Sequence, residues 1–215
     1  MNGRLKILFN LIDSGKIFAD VGCDHGKISK AVLDSGKFEK VIISDISAPS
    51  LEKAKTLLES YGDKVTAIVS DGFENFNETP CQAIIAGMGG EEIVKIIKSA
   101  KNLPNGLILA PQKNNDKVRK AVIELGYKIL KDFTFYSSGK FYDVIKAERG
   151  VDFYTEDEYL FGRDNLNEKP LGFIKKLDFE KELYLKIIND ESAPLTAKQS
   201  AKGKLEKIKE ILNEN

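Results

Sequence analysis

The run Phe18-Ala-Asp-Val-Gly-Cys-Asp-His-Gly26 constrains the fold of this chain more than any other stretch. An apolar segment ends in an acid, Asp20. Gly22 follows two residues later, and Gly26 opens the helix-like segment 27–35. A strand that turns through glycine into a helix begins a parallel α/β unit, and bare backbone at that turn lets a ligand lie against the carboxyl edge of the sheet. The dinucleotide form of the turn is Gly-x-Gly-x-x-Gly. Here its third position is Asp24, whose charge would repel a diphosphate, so a nicotinamide oxidoreductase is disfavoured.

The same unit recurs along the chain. Apolar, β-branched segments at 17–21, 40–44, 65–69, 82–86 and 106–110 read as strands. A first helix over 4–14, ended by Gly15, carries Leu5, Leu8, Phe9 and Ile12 on one stripe. Later helices follow Pro49, the Gly87-Met-Gly-Gly90 turn and the run around Val118 and Val122. Alternation of strand and helix predicts a parallel sheet. Segments 127–136 and 141–147, joined by Ser137-Ser-Gly-Lys140, read as a hairpin, which makes the last strand antiparallel. The expected fold class is therefore α/β: a Rossmann-like, seven-stranded, mostly parallel sheet of the class I methyltransferase type. After Gly150 the pattern becomes helical. Leu171, Ile174, Leu177, Leu183, Ile187 and Ile188 form one apolar stripe, and Ala201, Leu205, Ile208 and Leu212 a second beyond Pro194. Residues 1–150 are read as a ligand-binding domain and 151–215 as a helical, coiled-coil-like hairpin.

Each early strand ends in an acid. Asp20 suits an ammonium group. Asp45, followed by Ile46, can accept from two ribose hydroxyls, and Asp71-Gly72 stands where a nucleobase amine would lie. Three carboxylates at three successive strand ends favour a sulfonium nucleoside over a diphosphate, which points to S-adenosyl-L-methionine. Gly22, Cys23, Asp24 and His25 form the turn against it. Gly87, Met88 and Gly89 end the fourth strand, adjoining the first, and would leave room for a bulky acceptor beside the methyl group. Cys23 and His25 make no complete metal set, and two cysteines in 215 residues build no disulfide framework. Lys+Arg and Asp+Glu are both 33, so net charge identifies no partner. Acids gather at 152–158 and lysines at 198–209; both runs fit solvated helix faces or, for the lysines, a nucleic-acid contact. No apolar run approaches the length of a membrane span, and a cytoplasmic monomer is expected.

Three segments together resemble the TrmK family of bacterial tRNA (adenine-N1)-methyltransferases, which act on the adenosine at tRNA position 22. They are Asp20-Val-Gly-Cys-Asp-His25, Ala86-Gly-Met-Gly-Gly90 and Gly139-Lys-Phe-Tyr-Asp-Val-Ile-Lys-Ala147. The resemblance spans nearly the whole chain. It implies that Asp20, Gly22, Asp45 and Asp71 bind S-adenosyl-L-methionine, that Asp20 and Gly87 to Gly89 border methyl transfer, and that the partner is tRNA. On that reading Lys27, Lys30, Gln112, Lys113, Lys117, Arg119, Lys202 and Lys204 would meet the RNA, with the helical tail as a tRNA-binding extension. Two other functions stay open at this stage: methyl transfer to another RNA or a protein, and cofactor binding without catalysis.

Overall fold

In the computed structural model, residues 3–213 are described. Helix α1 (Gly3–Leu11) precedes strand β1 (Gly15–Val21); α2 (Lys27–Ser35), β2 (Phe38–Asp45), α3 (Ala48–Leu58) and β3 (Val65–Val69) follow. Next come β4 (Gln82–Ala86), α4 (Gly90–Ser99), β5 (Gly106–Ala110), α5 (Asn115–Glu124), and the hairpin β6 (Tyr127–Ser137) and β7 (Lys140–Arg149). The seven strands pair in the order β3-β2-β1-β4-β5-β7-β6. All pairings are parallel except those of β7, which runs against both β5 and β6. The fold class read from the sequence is thus the one observed. One boundary differs: Gly15 does not close the first helix but opens β1, its N–H donating to the Lys37 carbonyl.

Alternation along the central strands sends successive residues to opposite faces. Ala19, Val21, Ile85, Leu107 and Leu109 pack with Ile93, Ile96, Val118 and Val122 of α4 and α5. Phe18, Ile43, Ile84 and Ile108 pack with Leu8, Ile28, Val32, Leu51 and Leu58 of α1, α2 and α3 and with Ile12 just beyond α1. Asp20 shares its face with Phe18, so its carboxylate points among α1 and α2. From β1 the chain winds outward through β2 to β3, then returns to place β4 on the other side of β1. That reversal opens a crevice at the carboxyl ends of β1 and β4, where ligands of such sheets bind.

Beyond β7 lie two short helices absent from the sequence reading, α6 (Glu156–Phe161) and α7 (Arg163–Glu168), and then the two long ones, α8 (Leu171–Asn189) and α9 (Leu195–Leu212). The acids at 152–158 are not merely a solvated face. Asp152 accepts from the Ile129 N–H and from Arg163, while Thr155 and Glu158 close a reciprocal cap on α6. Helices α8 and α9 run antiparallel, with Lys169 Nζ before α8 donating to the Ile211 carbonyl near the end of α9. Phe173, Leu177 and Ile208 form their own small core.

A buried polar knot fastens this tail to the sheet. Arg119 of α5 is 1% exposed. Its Nε donates to Asp132 Oδ2 at 2.8 Å, and its Nη1 donates to the Tyr159 and Leu160 carbonyls. Asp143 of β7 lies beside it and accepts from Thr134, Asn115 and Lys176 at 2.6, 2.6 and 2.7 Å. Burial pushes the Asp143 carboxyl up, but Lys176 and Arg119 hold it below the usual range. Arg119 is therefore not a phosphate contact, correcting that expectation. A guanidinium sealed by a bidentate carboxylate and two carbonyls cannot reach RNA. Removing one partner of such a pair strands a buried charge, typically at a cost of about 3–5 kcal/mol. Arg119→Met should lower unfolding free energy by about that amount in urea titrations, whereas Lys113→Met should leave it within about 0.5 kcal/mol.

Candidate cofactor and acceptor site

The turn after β1 owes its shape to local backbone conformation. Gly22 and Gly26 lie at φ 71° and 64°, and Asp24 between them at φ 46°. Asp tolerates the left-handed region better than most side chains, but not freely. Gly22 takes its left-handed conformation without a Cβ penalty, and the end of the Met88 side chain fills the space a Cβ there would occupy, so the β1 and β4 turns meet. The Asp24 N–H donates to Asp45 Oδ2 at 3.3 Å, and the Ser47 N–H to Asp45 Oδ1 at 2.8 Å. Asp45 thus braces the turn as well as standing at the end of its strand, with lone pairs left on both oxygens.

Asp20 is the centre of the crevice. It is 8% exposed and accepts from Ser29 Oγ at 2.7 Å. Burial raises its carboxyl from the ordinary 3.8 to about 6; Ser29 opposes the shift through its hydroxyl and backbone N–H, and Asp45 adds to it. Among the described residues no cation pairs with Asp20. A cavity of about 240 Å³ opens in front of it, walled by Gly22, Cys23, Asp24, His25, Lys27, Ile84, Ala86 and, from α1, Arg4. The Arg4 guanidinium stacks over the Tyr142 ring, 5.0 Å from its centroid. Its Nε is buried and has no hydrogen-bond partner among the described residues. Its Nη2 lies 3.6 Å from where a Cβ on Gly87 would stand. One cavity therefore offers a lone buried carboxylate and an under-bonded guanidinium, the pair that complements the two charged ends of an amino acid. The Cys23 thiol, pushed up to about 12 by burial and by Asp20 and Asp45, stays neutral.

Arg4 was not singled out in the sequence. It precedes an apolar stripe and matches no motif; only the return of α1 over β1 brings it to the crevice.

At the end of β4 the backbone is tied to β5. Gln112 donates from Nε2 to the Gly87 carbonyl at 2.6 Å and from its N–H to the Met88 carbonyl at 2.9 Å. The Gly90 N–H meets the Lys113 carbonyl at 2.9 Å, an approach any Cβ on Gly90 would block. Gln112, expected to face RNA, thus also positions the Gly87 turn. Met88 folds onto Gly22 and packs partly into the core, so its side chain supports the turn rather than presenting a reactive group.

The remaining expected residues are placed as follows. His25 is exposed, its Nε2 3.6 Å from Asp24. Ile46 is exposed at the end of β2 and can cover a flat ring. Asp71 pairs with Lys95 at 2.7 Å, which leaves it engaged with α4, and Gly72 packs against Ile96. Lys30 is held by Asp34 and Tyr61, and Lys117 by Glu91. Lys204 lies over the Tyr184 ring, while Lys27, Lys113 and Lys202 are exposed. Among the described residues no group of three or more His, Cys, Asp or Glu forms a metal site, and no helix is long and apolar enough to cross a membrane.

Residues 1–145 match the family described as methyltransferase domain. A Mycoplasma pneumoniae protein, provisionally named a tRNA methyltransferase, is 30% identical over 175 residues, covering 78% of this chain and 82% of that one. The tRNA (adenine(22)-N(1))-methyltransferase of Bacillus subtilis is 28% identical over 156 residues, 70% of this chain and 66% of that one. The crystal structure of B. subtilis TrmK superposes with a TM-score of 0.84 at 24% identity, covering 99% of this chain and 98% of that one. Streptococcus pneumoniae Sp1610, solved in complex with S-adenosyl-L-methionine, gives 0.88 at 25% identity over 99% of both. With the acid-lined crevice, the Gly87 turn and this match in sequence and fold together, the chain belongs to the methyltransferase-domain family and, within it, to TrmK.

Proposed function

We propose that this protein transfers the methyl group of S-adenosyl-L-methionine to N1 of an adenosine in tRNA, at position 22 as the name of the B. subtilis relative states. The observation that carries the reading is the buried carboxylate of Asp20, unpaired with any cation among the described residues, lining one small cavity together with Arg4. A carboxylate pushed to about 6 by burial gains most from a ligand that brings a positive charge. Asp20 takes the ammonium of the methionyl group and Arg4 its carboxylate. Asp45 accepts from the ribose hydroxyls, and Ile46 covers the base.

The bound cofactor supplies an electrophilic methyl group on a sulfonium. Adenine N1 has a lone pair and no proton, so attack needs no base. The protein's contribution is alignment, worth up to roughly 7–11 kcal/mol when reactants are held in line. Gly87 to Gly89 leave the space for that approach, and Gln112 fixes the Gly87 carbonyl beside it. The product ring is cationic; the Gly87 and Met88 carbonyls, each with a lone pair left after Gln112, are the acceptors at hand. N1 lies on the pairing edge, so the base must be unpaired or flipped out. Residues 151–215 serve as an RNA-holding extension of the 1–150 unit, with Lys202 and Lys204 on α9 and Lys27 and Lys113 near the crevice as phosphate contacts.

Three measurements test this reading. Nucleosides from unmodified tRNA incubated with protein and cofactor should contain N1-methyladenosine by mass spectrometry; none would end the proposal. Lys202→Glu with Lys204→Glu should weaken tRNA binding and flatten its dependence on log salt, by about 0.9 for each phosphate no longer neutralised.

The third concerns Asp20. Its folded carboxyl titrates near 6 and its unfolded one near 3.8, so the folded state holds the proton more tightly and loses stability as pH rises between them. The gap corresponds to roughly 3 kcal/mol. Asp20→Asn should therefore stabilise the ligand-free protein at pH 8 by up to about that amount, with the gain vanishing towards pH 4 in denaturant melts. Calorimetry should show donor affinity of the wild type falling as pH drops through about 6, and of Asp20→Asn weak throughout.

A further inference from the structure

The segment Gly139 to Ala147 carries part of the family resemblance, yet it touches the donor site only through Tyr142, on which Arg4 stacks. The β6–β7 hairpin and α8 border a second, open cavity of about 680 Å³. Its walls are aromatic: Tyr136, Phe141, Tyr142 and Phe179. Tyr136 and Phe141 have ring centroids 5.0 Å apart, and Phe141 and Phe179 6.1 Å, so the three rings form a ladder from the hairpin to α8. Tyr136 is 48% exposed and Phe179 59% exposed. Scattered exposed apolar side chains need no explanation, but exposed rings gathered in one cleft mark a binding surface.

Two further observations say what the cleft takes. It adjoins the methyl-transfer site: Arg4 borders both cavities, and Ala110, Pro111 and Gln112 line the larger one, with Gln112 holding Gly87. It is also edged by cations. Lys140 lines it, and Lys175 Nζ lies 5.7 Å from the Tyr136 centroid. Stacking faces with a basic rim are how proteins hold unstacked bases and their phosphates.

We propose that this cleft is the acceptor pocket: the flipped adenosine enters between Arg4 and the Tyr136–Phe141–Phe179 ladder, its base stacked on the exposed rings and its phosphates against Lys140 and Lys175. The ladder is a positioning device, bringing N1 to the Gly87 end of the donor cavity. The inference rests on the reading of the protein as a tRNA methyltransferase.

The test measures methylation of unmodified tRNA by the full-length chain, with binding of S-adenosylhomocysteine followed separately by calorimetry. Tyr136→Ala and Phe179→Ala should each lower kcat/KM about 10-fold or more, the range expected when a base loses an aromatic partner. Affinity for S-adenosylhomocysteine and the urea midpoint should stay at wild-type values, and Tyr136→Phe should restore activity because stacking needs the ring and not the hydroxyl. Unchanged kcat/KM in both alanine variants overturns the pocket while leaving the function standing. A wild-type protein that methylates no tRNA overturns the function itself, and the pocket with it.

Discussion

One unfavourable interaction organises the site: a carboxylate, Asp20, taken out of water with, among the described residues, Ser29 as its side-chain hydrogen-bond partner. Burial without a counter-charge is costly, and the surrounding fold holds Asp20 there by several means. Phe18 and Ala19 anchor β1 on both faces of the sheet, Ser29 comes from the first turn of α2, and Gly22 turns the chain away at once. The site is therefore set up for a positive ligand before any ligand arrives. The bracing of Asp24 by Asp45 and the fit of Met88 on Gly22 hold the turn that walls the cavity in front of that carboxylate.

The central sheet was legible because its strands are short, β-branched and punctuated by glycine. Segments such as Val41–Ser44 and Leu107–Ala110 admit no other reading once alternation with helices is seen. The strand-end acids were legible for the same reason: a parallel sheet sends all its carboxyl ends to one edge. Other groups had no local signature. Arg119 sits on a helix with lysines around it and reads as a surface cation; its partner Asp132 is on the following strand, β6, and its carbonyl partners are 40 and 41 residues away. Arg4 likewise gains meaning only through a helix that folds back across β1. Helices α6 and α7 escaped notice because six residues are too few for a periodic stripe.

Acids at 152–158 illustrate the same limit from the other side. As a string they resemble a solvated face. In three dimensions Asp152 reaches back to the Ile129 N–H at the start of the hairpin, and Glu158 splits its oxygens between the Thr155 N–H and Arg163. Charge patterning recorded the residues correctly but not their direction, because local sequence does not encode which side of a short helix meets the sheet.

The Arg119–Asp132–Asp143–Lys176 knot has a mechanical meaning as well as a stabilising one. It crosses four elements, α5, β6, β7 and α8, and two of these, β6 and β7, form the strand pair beside β5. The knot ties the near end of the tail directly to the sheet. On the proposed function, a tRNA gripped far out along the helices is referenced to the same rigid frame as the methyl donor, so the spacing between grip and pocket becomes a gauge. Which nucleotide arrives at the reaction centre is then settled by the length of RNA between two fixed points.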